Sequence, residues 1–115
     1  MAGLTTHVLD TANGKPAQGI FVQLFREIEA IAIAQAVTNA DGRCDEPLLT
    51  AEQMQQGAYR LEFAVAGYFR GQGMTLPDPP FLDKIAIQFG IAETATHYHV
   101  PLLVSPYGYS TYRGS

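Results

Sequence analysis

The sequence predicts an all-β domain of sandwich or barrel type, and three observations carry that expectation. Short segments alternate apolar and polar side chains with period two, the spacing of a strand that buries one face. Turn-forming pairs, Asn13-Gly14 and Asp41-Gly42 foremost, separate these segments at hairpin-like intervals. The chain has 115 residues, 47% of them apolar, which suits one domain over 1–115 with a single core and leaves no room for two. About eight short strands and one minor helix follow, an arrangement unlike a parallel sheet with helical crossovers.

Leu4–Asp10 (LTTHVLD) puts Leu4, Thr6 and Val8 on one face and Thr5, His7 and Leu9 on the other. Thr11–Pro16 is a turn in which Asn13-Gly14 supplies the positive-φ positions. In Gln18–Arg26, Ile20, Val22 and Leu24 line one face of a strand and Phe21 and Phe25 the other, so both faces should be covered. Glu27–Ala30 is a polar connection. Ile31–Thr38 is rich in alanine, yet Ile31, Ile33 and Val37 at odd positions favour a strand. Asn39–Gly42 is a hairpin turn signal, and a short strand is expected over Arg43–Leu48. Thr50 and Gln53 have the spacing of a capping box and Gly57 that of a terminator, which predicts a helix of one or two turns at Ala51–Gln56.

Tyr59, Leu61, Phe63 and Val65 alternate with Arg60, Glu62 and Ala64 in the clearest half-buried strand of the chain. Ala66–Met74 is too glycine-rich to assign, and Pro77–Pro80 is a rigid irregular linker. Ile85, Ile87 and Phe89 mark another strand. The last nineteen residues, from His97, form two short strands around a Ser105-Pro106 break. Tyr98, Val100, Leu102 and Val104 make the apolar face of the first, so His97 and His99 share the opposite face with Pro101 and Leu103. Chain ends are usually plain, whereas this one carries four tyrosines and an arginine, which marks it as used.

Composition excludes several classes. A net charge of -4 without clustered Lys and Arg speaks against nucleic acid, and no apolar run reaches the ~20 residues of a membrane helix. The strand pattern begins by Leu4, leaving no room for a signal peptide unless one has been removed. Cys44 is the only cysteine, so nothing requires an oxidising compartment, and the cytoplasm is the default. The terminal Arg-Gly-Ser is not a peroxisomal address.

Few side chains suit chemistry: His7, His97, His99, Arg43, Ser110, Tyr112, Arg113 and Ser115. A single strand histidine is more often a hydrogen-bonded structural residue than a catalyst. His97 and His99 project to one side as metal ligands would, but no third ligand is evident from spacing and Cys44 is only a distant partner. Ser110 lacks the second glycine of a nucleophile elbow. Arg43 beside a turn is by default a solvated cation, and the tyrosines could be core or interface aromatics. Phosphate-loop, dinucleotide and zinc-finger spacings are missing.

Three stretches, Leu4–Asp10, Thr38–Arg43 (TNADGR) and His97–Ser115, closely resemble the transthyretin family. Within it they are similar to the enzymatic branch of urate breakdown. Gly14–Ala17 and Gly57–Arg60 fit as well, so the likeness spans the whole chain. The ending Tyr112-Arg113-Gly114-Ser115 is its most specific motif, since hormone-carrying transthyretins end differently. The resemblance implies a transthyretin-like (prealbumin-like) β-sandwich of two four-stranded sheets with one short helix. It implies a homotetramer, a dimer of dimers, with sites at the dimer–dimer interface. The implied reaction is hydrolytic opening of 5-hydroxyisourate without metal or organic cofactor. His7, Arg43, His99 and Ser115 match the catalytic positions. His7, Arg43, Tyr112, Arg113 and Gly114 match the substrate-binding positions. Histidine titrates near neutrality and a guanidinium offers two parallel donors to a planar, carbonyl-rich ring, so these residue types suit that chemistry. A hormone-type carrier without catalysis is the rival expectation; a structural or interaction sandwich with a stray histidine pair is the other.

Overall fold

In the computed structural model, which describes residues 2–114, eight strands form two sheets. The first comprises β1 (Gly3–Asp10), β2 (Lys15–Pro16), β7 (His97–Ser105) and β8 (Gly108–Thr111), in the order β2-β1-β7-β8. The second comprises β3 (Phe21–Arg26), β4 (Ala34–Val37), β5 (Gly57–Ala64) and β6 (Lys84–Ile91), in the order β4-β3-β5-β6. Period-two burial follows the sequence closely: Leu4 and Val8, Val22 and Leu24, Leu61 and Phe63, and Leu102 and Val104 are all fully enclosed. Two sheets that each bury one face against the other make a sandwich, as expected. Most pairings are antiparallel, but β1 and β7 run parallel in register from Gly3↔His97 to Asp10↔Val104. Among the described residues no helix is long and apolar enough to cross a membrane.

Four local expectations need correction. Of the strand expected at Ile31–Thr38 only Ala34–Val37 forms one, β4; Ile31 lies before it and is 81% exposed, and Val37 within it is 58% exposed. The register Val22↔Ala36 and Leu24↔Ala34 is the reason, because it puts the alanines beside the core residues of β3. Arg43–Leu48 is not a strand; only Arg43 and, beyond it, Leu49 form isolated bridges, to His7 and Leu4. Pro47 in that segment lacks the N–H a ladder needs.

The capping-box segment gives one 3₁₀ turn, Ala51–Gln53, in which the Thr50 N–H donates to Gln53 Oε1 at 2.9 Å. It stops there because Met54 turns into the core. The α-helix lies instead in the glycine-rich stretch, as α1 (Val65–Gly71). Its buried stripe, Val65, Ala66, Tyr68 and Phe69, outweighs the poor propensity of its glycines. Phe25 is buried as expected, covered by the Arg60 guanidinium 4.3 Å above its ring, while Phe21 is 37% exposed.

The helix is tied to β1 by a buried carboxylate. Tyr68 Oη donates to Asp10 Oδ2 at 2.7 Å, and Asn13 donates to both carboxylate oxygens from its backbone N–H and its amide, closing the Asn13-Gly14 turn. Burial pushes the Asp10 carboxyl up, but the hydrogen bonds from Asn13, Tyr68 and the Ala12 amide outweigh it and hold the pKa below the ordinary value. Tyr68→Phe is therefore expected to destabilise the fold by roughly 1–3 kcal/mol at pH 7, because a buried charge loses a donor. The unfolded carboxyl titrates near 3.8 and the folded one lower, so this contribution is full above 3.8 and disappears as the pH falls through the folded value. Urea unfolding at pH 7 and pH 3 should show the gap between variant and wild type narrowing in acid.

Candidate active site

Parallel pairing of β1 with β7 is what assembles the site. Because Leu4, Thr6 and Val8 face the core, Thr5 and His7 face outward; because Tyr98 and Val100 face the core, His97 and His99 face outward as well. Register sets Thr5 beside His99 and His7 beside Pro101. Four polar side chains from the two ends of the sequence thus share the outer face of one sheet.

Arg43 reaches the same face along the free edge of β1. Asn39 shapes the turn, its Oδ1 accepting from the Asp41 and Arg43 amides at 2.9 and 3.2 Å. Gly42 then passes so close to β1 that its carbonyl accepts from Val8 N at 2.8 Å, and Arg43 forms an antiparallel bridge with His7. The Arg43 side chain is exposed and has no carboxylate partner among the described residues.

On the far side of β7 the chain end returns antiparallel as β8, and Gly114 bridges His99, donating its N–H to the His99 carbonyl at 2.8 Å. A Cβ on Gly114 would lie 2.5 Å from His99 Cδ2, so the chain end lies flat against the imidazole and only glycine fits there. Arg113 faces the other way: its guanidinium stacks 4.1 Å over the Tyr98 ring and donates to the His97 carbonyl at 3.3 Å. With Tyr112 it lines an apolar groove of about 270 Å³ between the open edges of β6 and β8. Ser115 lies outside the described residues.

Electrostatically, His99 is the focus. It is half-buried, and burial first, then the charges of Arg43, His7 and His97, hold its pKa below the usual histidine value. A neutral imidazole beside a guanidinium can accept a proton from water and return it, while the guanidinium holds an anionic oxygen. Thr5 Oγ1 stands 2.8 Å from His99 Nδ1 and 3.0 Å from His97 Nε2. The hydroxyl occupies the point between the two rings, and among the described residues no three metal-ligating side chains gather.

His7, Arg43, His99 and Gly114 are thus brought together, whereas Tyr112 and Arg113 stand at the neighbouring groove. Thr5 was not among the sequence candidates. Its place on the His7 face of β1 was readable, but its contact with both histidines depends on a pairing across more than ninety residues. The recess lined by Thr5, Thr6, Arg43, Cys44 and Glu46 measures only about 100 Å³, well short of the ~300 Å³ at which ligand pockets begin. The face is open in the single chain.

The sequence profile of the HIUase/Transthyretin family matches residues 4–114. A 5-hydroxyisourate hydrolase of Mesorhizobium japonicum is 58% identical, the match covering 97% of this chain and 91% of that one. Among solved structures, (S)-allantoin synthase superposes with a TM-score of 0.91 at 43% identity; the match covers 99% of this chain and 44% of that longer one. The 5-hydroxyisourate hydrolase of Klebsiella pneumoniae matches over 100% of both chains with a TM-score of 0.83 and 38% identity. Sea bream transthyretin in complex with thyroxine matches with a TM-score of 0.84 and 31% identity, over 98% of this chain and 95% of that one.

Proposed function

Because the chain belongs to the HIUase/Transthyretin family, we propose that it hydrolyses 5-hydroxyisourate, opening the six-membered ring to 2-oxo-4-hydroxy-4-carboxy-5-ureidoimidazoline. The observation that carries this reading is the convergence of His7, Arg43 and His99 on one outer sheet face, with Gly114 laid against the His99 ring. Water adds to the ring carbonyl as the histidine pair removes its proton, and the departing ring nitrogen takes a proton back. Arg43 aligns the planar substrate through two parallel hydrogen bonds and stabilises the oxyanion as it forms. Tyr112, Arg113 and Gly114 bound the substrate, and Ser115 completes the catalytic set.

A flat heterocycle cannot be enclosed by an open sheet face. In this reading the protein works as a homotetramer, a dimer of dimers whose facing subunits close each site. The direct experiment is to generate 5-hydroxyisourate from urate with uricase and follow its decay with purified protein. A rate no faster than spontaneous decay would sink the proposal. Within it, Arg43→Lys is expected to lower kcat/KM by roughly 10²-fold, since a lysine keeps the charge but loses the paired donors. Wild-type constants in that variant would remove Arg43 from the site.

The thyroxine complex of sea bream transthyretin favours a second reading, a carrier of a hydrophobic ligand. Three histidines and an exposed guanidinium make this face a poor host for such a ligand. Thyroxine binding without hydrolysis would reverse the choice.

A further inference from the structure

The hydrolase reading leaves His97 and Thr5 without work, although the Thr5 hydroxyl contacts both histidine rings, His99 Nδ1 at 2.8 Å and His97 Nε2 at 3.0 Å. A threonine hydroxyl has one proton to donate and lone pairs with which to accept. Held between His99 Nδ1 and His97 Nε2, it can donate to only one of them, and when it accepts from the other the two hydrogen bonds form a chain that runs in one direction. If His99 donates from Nδ1 to Oγ1, then Oγ1 donates to His97 Nε2, and His99 keeps Nε2 as a free base. The opposite direction, from His97 Nε2 through Oγ1 to His99 Nδ1, places the His99 proton on Nε2 instead.

We propose that His97, Thr5 and His99 form a proton wire, in which His99 is the base that meets water and Thr5 and His97 are positioning residues that take its second proton. The inference rests on the hydrolase reading and settles which histidine is the base within it. As water attacks, its O–H bond breaks, the oxygen lone pair forms the C–O bond to the ring carbonyl carbon, and the proton arrives at His99 Nε2. The Nδ1 proton passes to Thr5 Oγ1 while the original hydroxyl proton passes to His97 Nε2, leaving His97 as the imidazolium. The reverse sequence delivers a proton from His99 Nε2 to the departing ring nitrogen and restores all three groups.

The surroundings explain why such a wire is useful. Arg43 and His7 face His99 from the turn and from β1, Gly114 faces it from the chain end and brings no charge, and Cys44 and Glu46 line the adjoining recess. A full positive charge on half-buried His99 beside the Arg43 guanidinium is unfavourable. Moving it through Thr5 sets it one residue pair further from Arg43. His97 then shares its surroundings with Arg113, which is bound to its carbonyl and stacked on Tyr98.

The test compares wild type with Thr5→Val, Thr5→Ser, His97→Phe and the double variant Thr5→Val/His97→Phe. Thr5→Val keeps shape and loses the hydroxyl; kcat should fall roughly 10- to 100-fold with KM unchanged. Thr5→Ser should restore most of the loss, and the double variant should lose no more than either single one, as groups acting in series do. Ring-nitrogen NMR should find neutral His99 protonated at Nδ1 in wild type and without that preference in Thr5→Val. Full activity of Thr5→Val, multiplying losses in the double variant, or failure of serine to rescue would overturn the wire. A wild-type protein with no hydrolase activity would overturn the reading beneath it, a result separate from an active wild type with an equally active Thr5→Val.

Discussion

His99→Asn is expected to reduce kcat/KM for 5-hydroxyisourate by roughly 10²–10⁴-fold, the usual share of a general base, with the fold intact. The side chain lies on the outer face of β7 and takes no part in the core, so an amide of similar length leaves Tyr98 and Val100 packed as they are. Asparagine can still hydrogen-bond Thr5 but cannot titrate, which separates loss of the proton acceptor from loss of structure. A pH profile adds a second reading. Burial and the Arg43 charge hold the His99 pKa below 6.5, so the acidic limb of wild-type kcat/KM should fall below that value. The same shift affects stability. The unfolded chain binds a proton at this position more readily than the folded one, so its contribution is full above 6.5 and is lost as pH falls through the folded value. The Asn variant is thus expected to lose activity and to tolerate mild acid better than wild type. Undiminished kcat/KM would remove His99 from the mechanism.

What was legible in the chain divides along a physical line. Faces of strands follow from alternation alone, and Leu4–Asp10, Tyr59–Ala64 and His97–Val104 bury the side chains their spacing predicts. Tight turns follow from Asn-Gly and Asp-Gly. Partners do not. Nothing local in Leu4–Asp10 says that it lies parallel to His97–Val104, so the meeting of Thr5 with His97 and His99 could not be seen before the pairing was known. Which face of β4 turns inward was not legible for the same reason, because register with β3 decides which side chains turn inward, whatever their size. In α1, burial of Tyr68 and Phe69 overrides the low propensity of two glycines, Gly67 and Gly71, a tertiary effect that propensity cannot report. The family motifs supplied His7, Arg43 and His99 as a set; residues gave the types, and topology alone explains how they meet.

Gly42→Ala is the substitution expected to destabilise the protein most, and it connects the fold to the site. Gly42 has φ +75°, and a Cβ there would sit 2.3 Å from the Val8 carbonyl oxygen and 3.2 Å from the Ala17 amide nitrogen. Those atoms already bond each other, since Ala17 N donates to Val8 O at 2.9 Å, so the intruding methyl meets backbone that cannot rotate aside. The left-handed conformation accounts for about 1–2 kcal/mol and the overpacking for about 1–3 more. A loss of roughly 2–5 kcal/mol is a large part of the ~5–15 kcal/mol that holds a domain folded. Gly14→Ala is the control. It has φ +66° and nothing within 4 Å of the added carbon, so only the conformational part, about 1–2 kcal/mol, should appear. Because the Val8–Gly42 hydrogen bond adjoins the His7–Arg43 bridge, kcat/KM should fall in Gly42→Ala even at temperatures where it is folded, and should stay at wild type in Gly14→Ala. If the two variants unfold at the same denaturant midpoint with equal activity, contact with β1 is not what holds Arg43 beside His7. The Asn39 side chain would then have to hold the turn by itself.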